Sequence, residues 1–216
     1  MPSDIPQTRP TLVLVDIQRE YIAPGRPFHL HGISPSLTNC RILLDRARLN
    51  NWPVVHVQHV QDGPVFTGEY ARFIEVFEPK SGEPVFVKSQ ISPYTNEAFK
   101  QAMLAMRENE VVIAGYGSTM CCLSTIISGS ALGLRHSFIH DASWARALGD
   151  TMPEADAHRH VTAIIENPWK DSNDRRSARH VIRNRSPKRK NPRFRGFFYC
   201  ADRSQKSYIA PTRPAS

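Results

Sequence analysis

At 216 residues the chain can bury the core of one sizeable domain and still carry an appendage. Four cysteines, two of them adjacent, make neither a disulfide framework nor a CxxC metal pattern, and no apolar run approaches membrane-spanning length. The net charge of +8 is uneven: residues 1–166 carry 14 Lys/Arg against 17 Asp/Glu, or −3, whereas residues 167–216 carry 14 against 3, or +11.

The amino-terminal MPSDIPQTRP has no apolar centre and so does not read as a signal peptide. With the cysteine usage, this points to a cytoplasmic protein. Thr11 to Val15 (TLVLV) is a continuous apolar run ending in Asp16, the pattern of a buried parallel strand that delivers a carboxylate at its carboxyl end. The IQREYIAPGRPFHLHG that follows is a loop, with Tyr21 and Phe28 as candidate pocket walls. Ser34 to Asn51 reads as an amphipathic helix with Ser34 as N-cap and Pro35 in first position.

Pro53 to Val60 (PVVHVQHV) is the second strand. His56 and His59 stand three apart, hence on opposite faces, and cannot share a metal ion without distortion; His59, nearer the carboxyl end, is the better pocket candidate. Gln61 to Gly82 is a long excursion, and loops of that length in a compact domain are usually binding loops or lids. Pro84 to Val87 is the third strand, ending in Lys88, and Thr95 then caps a helix through Phe99, Met103 and Met106.

The stretch with most chemistry is VVIAGYGSTMCCLSTIISGSALGLRHSFIHDAS. Val111 to Ala114 reads as strand, Gly115, Gly117 and Ser118 as an abrupt turn, Cys121 to Leu132 as helix and Arg135 to His140 as strand again. The cysteine pair therefore sits where a strand's carboxyl end meets a helix's amino end, the place where open α/β sheets bind ligands. Unpaired amides there favour a thiolate and can hold an oxyanion. Equally, Cys121 and Cys122 could be small core residues. Thr151 to Glu166 is the last helix read from the pattern.

Beyond Pro168 the chain is dense in Arg, Pro and Ser, and is expected to be disordered. Clustered Arg/Lys with Phe194, Phe197, Phe198 and Tyr199 would suit a nucleic-acid arm; the abrupt change at 167 favours an altered gene end instead.

The segments LVLVDIQREY, VFVKSQISPYTNEAF and GYGSTMCCLSTIISGSALGLRHSFIHDA, in this order, make residues 10 to 165 resemble the isochorismatase-like cysteine hydrolases, which include nicotinamidases, N-carbamoylsarcosine amidases and ureidoacrylate amidases. The resemblance implies an α/β fold, a three-layer αβα Rossmann-like domain with a mostly parallel sheet over residues 1–167; composition makes 168–216 a basic low-order extension. It implies a catalytic triad of Asp16, Lys88 and Cys121, with Tyr116, Gly117 and Ser118 forming the oxyanion turn and a cis peptide between Tyr116 and Gly117. The amides of Gly117 and Cys121 would hold the oxyanion. Gln18, Tyr21, His59, Tyr94 and Trp144 are the candidates to line a small, partly aromatic substrate pocket, and each could equally be a packing residue.

The implied reaction is hydrolysis of a C–N bond in a small amide, ureide or carbamoyl compound through a thioester. Nicotinamidases carry a metal-binding Asp-x-His after the second strand; here that place reads QHVQDGP, so no metal and no cofactor are expected. The family's oligomers imply a dimer or tetramer, and its final sheet strand has no counterpart after Glu166. The alternatives are vinyl-ether hydrolysis of an isochorismate-like substrate, and a catalytically idle member whose tail binds nucleic acid.

Overall fold

Short, largely apolar runs become the central strands of one five-stranded sheet, because buried parallel strands must be apolar on both faces. The computed structural model describes residues 9–166. Its elements run β1 (Thr11–Val15), α1 (Ser34–Leu49), β2 (Val54–His59), β3 (Val85–Lys88), α2 (Glu97–Ala105), β4 (Glu110–Tyr116), α3 (Leu123–Ala131), β5 (Arg135–Trp144) and α4 (Glu154–Glu166). All pairings are parallel, in the order β3-β2-β1-β4-β5.

Side-chain alternation along β1 divides the core. Val13 and Val15 face Phe99 and Met103 of α2 and Cys122 beside α3, together with Val55, Val57, Val111 and Ile113. On the other face α1 lies against β5, where Asn39 Nδ2 and Cys40 Sγ donate to the carbonyls of Asp141 and Ala142. The sheet is thus covered on both sides, an αβα layering.

The chain winds one way from β1 to β3, then crosses back to β4 on the other side of β1. The strand order reverses between β1 and β4, so the crevice above their carboxyl ends is the fold's natural ligand site. Leu12 pairs with Val54 on β2 and with Val112 on β4, which aligns those ends. Gly115 permits the close approach: a Cβ there would lie 2.0 Å from the Val15 carbonyl oxygen.

The structure moves several boundaries. Serine at 34 opens α1 but does not cap it; Ile33 holds the cap position with no side-chain bond, and Ser36 Oγ donates to the Ile33 carbonyl. Asn96, not Thr95, caps α2 by accepting from the Phe99 amide, while Thr95 turns back on Ser92. The last helix begins at Glu154, because the residues from Thr151 form a turn closed by a Leu148–Met152 bridge. Strand β5 runs on to Trp144, past a register shift at Ile113/Gly115. Strand β3 is an edge, with Val85 and Val87 exposed. The anticipated lack of a further strand after Glu166, the disorder of the tail and its nucleic-acid role all lie outside the described residues. Among those residues no helix is long and apolar enough to cross a membrane.

Beneath α3, the His136 ring is buried, and that burial pushes its pKa down from 6.5 to about 4 against a small opposing effect of the Leu134 backbone. The unfolded chain therefore takes up a proton near pH 6.5 that the folded chain refuses until about 4, so stability falls as pH drops through that window. From pH 7 to pH 4.5 the loss from this ring is roughly 2–3 kcal/mol. A His136→Phe variant should lose correspondingly less between those pH values in urea titrations.

Candidate active site

Three strand ends deliver the reactive groups. Asp16 follows β1 directly, Lys88 closes β3 and pairs in register with His59 at the end of β2, and Cys121 lies in the turn after β4. The Lys88 ammonium, wholly buried, lies 2.9 Å from Asp16 Oδ2, 2.9 Å from His59 Nδ1 and 3.4 Å from Cys121 Sγ. One cation thus meets a carboxylate, an imidazole and a sulfur. The Asp16 carboxyl also stands in hydrogen-bond relation to the Cys121 thiol. Apart from Lys88 and the Cys121 thiol, no donor among the described residues addresses its oxygens, so the carboxylate can take the thiol proton.

Electrostatics set the resting protonation. Burial disfavours the Lys88 ammonium, but Asp16 and Cys121 more than offset it, and its pKa is raised. Burial pushes the Cys121 thiol up, Asp16 pushes the same way, and Lys88 opposes only in part. The sulfur therefore rests as a thiol beside its proton acceptor. Burial and the Lys88 charge both lower the His59 pKa, so its ring is neutral. Its Nδ1 then accepts from Lys88 and its Nε2 donates to Gln61 Oε1 at 3.1 Å.

The backbone around the sulfur is unusual at two points. Asp16 sits at φ 53, a left-handed conformation that a non-glycine residue adopts at a cost of order 1–3 kcal/mol. The implied cis peptide is not found: the Tyr116–Gly117 bond is trans, and the chain reverses instead through Gly117 at φ 67. Nor does an ordinary α-helix begin at the cysteine. Ser118–Cys122 form a π-helical turn in which the Gly117 carbonyl accepts from the amides of Met120 (2.8 Å) and Cys122 (3.2 Å). The i+4 bond that an α-turn would have drawn from the Cys121 amide is replaced by the longer closure.

The remaining expected site residues divide. Tyr21 joins the site: a Cβ on Gly117 would lie 3.3 Å from its hydroxyl oxygen and 3.4 Å from Cys121 Sγ. Gln18 does not face substrate. It is fully buried, and its amide donates to the His59 carbonyl (2.7 Å) and the Ala71 carbonyl (2.6 Å) while accepting from the His59 amide (2.8 Å). Tyr116 turns toward α1, 3.3 Å from Ser36 Oγ. Ser118 Oγ donates to His158 Nδ1 at 3.0 Å, since His158 Nε2 is committed to the His140 carbonyl; the hydroxyl therefore fixes the turn. Tyr94 is core, edge-on to Phe99. Trp144 stacks on His158 and donates to Glu154 Oε2 at 2.9 Å. His56 is bound to Glu83 and takes no part in the site.

Several residues here escaped the sequence reading. Phe66 packs on His59, Tyr21 and Phe28 at ring separations of 4.9, 5.4 and 5.0 Å. The exposed Arg146 guanidinium lies 4.5 Å over the Phe28 ring, close enough to act on Tyr21, and meets no carboxylate among the described residues. Glu154 ties the amides of His31 and Gly32 to Trp144. Only Phe66 carried a signal, as a large apolar residue inside the long excursion.

Residues 10–167 match the Isochorismatase domain. The chain is 29% identical over 160 residues to a secreted isochorismatase effector of Verticillium dahliae, covering 71% of this chain and 80% of that one. It is 26% identical over 164 residues to the maleamate amidohydrolase of Pseudomonas putida, covering 62% and 77%. A crystal structure of an isochorismatase from Pseudomonas putida KT2440 superposes with a TM-score of 0.70 at 26% identity, covering 75% of this chain and 86% of that one. The sheet order, the strand-end cluster and the match over residues 10–167 together make the chain a member of the isochorismatase family of hydrolases.

Proposed function

We propose that the protein is a cysteine amidohydrolase that cleaves the C–N bond of a small amide through a thioester on Cys121. One observation carries the reading: a single buried ammonium contacts both a carboxylate and a sulfur at the sheet's switch point. Asp16 takes the thiol proton as the sulfur attacks the carbonyl carbon. The oxyanion so formed meets the amides at the Gly117 turn, among them that of Cys121. Collapse expels the amine, which recovers the proton from Asp16, and water then hydrolyses the thioester with Asp16 as base. Lys88 supplies the counter-charge to Asp16 and lies against the sulfur as charge develops on it.

Arg146 suggests the substrate class. An exposed guanidinium stacked on Phe28 beside Tyr21, without an acidic partner among the described residues, suits a substrate bearing a carboxylate a few bonds from its amide. The likeness to a maleamate amidohydrolase agrees with that class. The test is a panel of small amides, ureides and carbamates with and without a carboxylate, maleamate included, assayed for ammonia or amine release. Turnover should favour the carboxylates. Arg146→Ala should raise KM for them about 10–100-fold with kcat little changed, and leave neutral amides unaffected. Equal effects on charged and neutral substrates would remove Arg146 from recognition, and no turnover anywhere would remove the amidase reading.

A further inference from the structure

Cys121 retains 9% exposure, with the Tyr21 hydroxyl beside its sulfur at the Gly117 turn. Tyr21, Phe28 and Phe66 pack edge to face, and Phe66 also covers His59, whose Nδ1 is held by Lys88. Tyr21 and Phe28 belong to the loop after β1. Phe66 comes from the long excursion after β2, and the two ends of that excursion are held very differently.

Its base is stitched to the sheet. Ala71 receives bonds from both Gln18 and Gln58, Phe73 bridges to Gln18, and the Ile74 amide donates to the Ile17 carbonyl. Its tip rests on one charged clasp. Arg26 donates through Nε and Nη2 to Glu20 Oε2 (3.1 and 2.9 Å), donates through Nη2 to the Pro64 carbonyl, and lies 4.0 Å over the Tyr70 ring. Glu20 Oε2 also accepts from the Phe66 amide at 3.3 Å. Asp62, Gly63, Pro64 and Thr67 to Glu69 face solvent, whereas Val65 and Phe66 are buried beneath them.

We propose that residues 61–70 are a lid over Cys121, latched shut by the Glu20–Arg26 pair, and that substrate reaches the sulfur when this latch releases. The identity of the covered sulfur as the nucleophile rests on the function proposed above; the lid itself does not. The closed state carries a built-in cost. Glu20 is fully buried, and its Oε1 has no partner among the described residues. An unsatisfied buried oxygen of this kind is expensive, and opening would hydrate it, so the closed lid is poised to open. Arg26 and Glu20 are positioning residues: they act on the site through the segment that carries Phe66.

The test needs no substrate. The full chain is treated with iodoacetamide, and labelling is located by tandem mass spectrometry at Cys121 and at Cys40, which is fully buried and reports global unfolding. In Arg26→Ala, and in the milder Arg26→Gln, Cys121 should label at least about tenfold faster than in the parent chain while Cys40 stays unchanged. An unaltered Cys121 rate in both variants overturns the latch, as does acceleration of Cys121 and Cys40 in step, which would make the clasp a mere stability element. Because labelling does not depend on turnover, a chain inactive on every amide would refute the amidase reading and leave the lid standing.

Discussion

A Lys88→Met variant should lose turnover by at least about a thousandfold and lose roughly 3–5 kcal/mol of stability. Methionine fills similar space, so packing is not the cause. The change leaves the wholly buried Asp16 carboxylate with no counter-charge, and breaking one side of a buried pair is the costly way to disturb it. The chemistry fails for a related reason. Cys121 is a thiol at rest because burial and Asp16 outweigh Lys88, and without the ammonium nothing steadies the charge that develops on sulfur. His59 would also lose the donor to its Nδ1. Urea denaturation and steady-state rates on the best substrate of the panel check the two halves separately.

Asp16→Asn should lower kcat by about 10²–10⁴-fold, the usual worth of a positioned proton acceptor. Here the orphan is the ammonium: burial opposes its charge, and Asp16 is the first of the groups that offset this. The variant should therefore also be destabilised, and its Lys88 should titrate below the parent's. The double variant Asp16→Asn/Lys88→Met discriminates charge burial from chemistry. It should recover most of the stability that either single change loses, because no buried charge is left unpaired, yet remain inactive. Stability losses that simply add would mean that the two groups are not a coupled pair.

What the sequence disclosed follows from where strands end. Asp16 and Lys88 each break off an apolar run, and a charged residue in that place belongs at the sheet's carboxyl edge wherever the strand lies. Cys121 was legible in the same way from the glycines that break β4. The rest depended on which strands become neighbours. Gln18 bonds to the end of β2, a contact 41 residues away along the chain, and nothing in its own surroundings marks it as a stitch rather than a pocket residue. Glu154 reaches Gly32 across 122 residues and takes Trp144 out of the site. Tyr94 looks like a pocket aromatic beside Lys88, but its ring packs edge-on to Phe99 in the core. The π-helical turn was invisible because the amino acids of STMCC suit an α-helix equally well; the closure on Gly117 is set by its left-handed backbone.

The most direct measurement is rapid-quench mass spectrometry of the full chain during turnover of a carboxylate-bearing amide. An acyl mass should form on Cys121 and decay with the reaction, and Cys121→Ala should show neither adduct nor turnover in a chain that still folds. Hydrolysis by Cys121→Ala at the parent rate would contradict a thioester route.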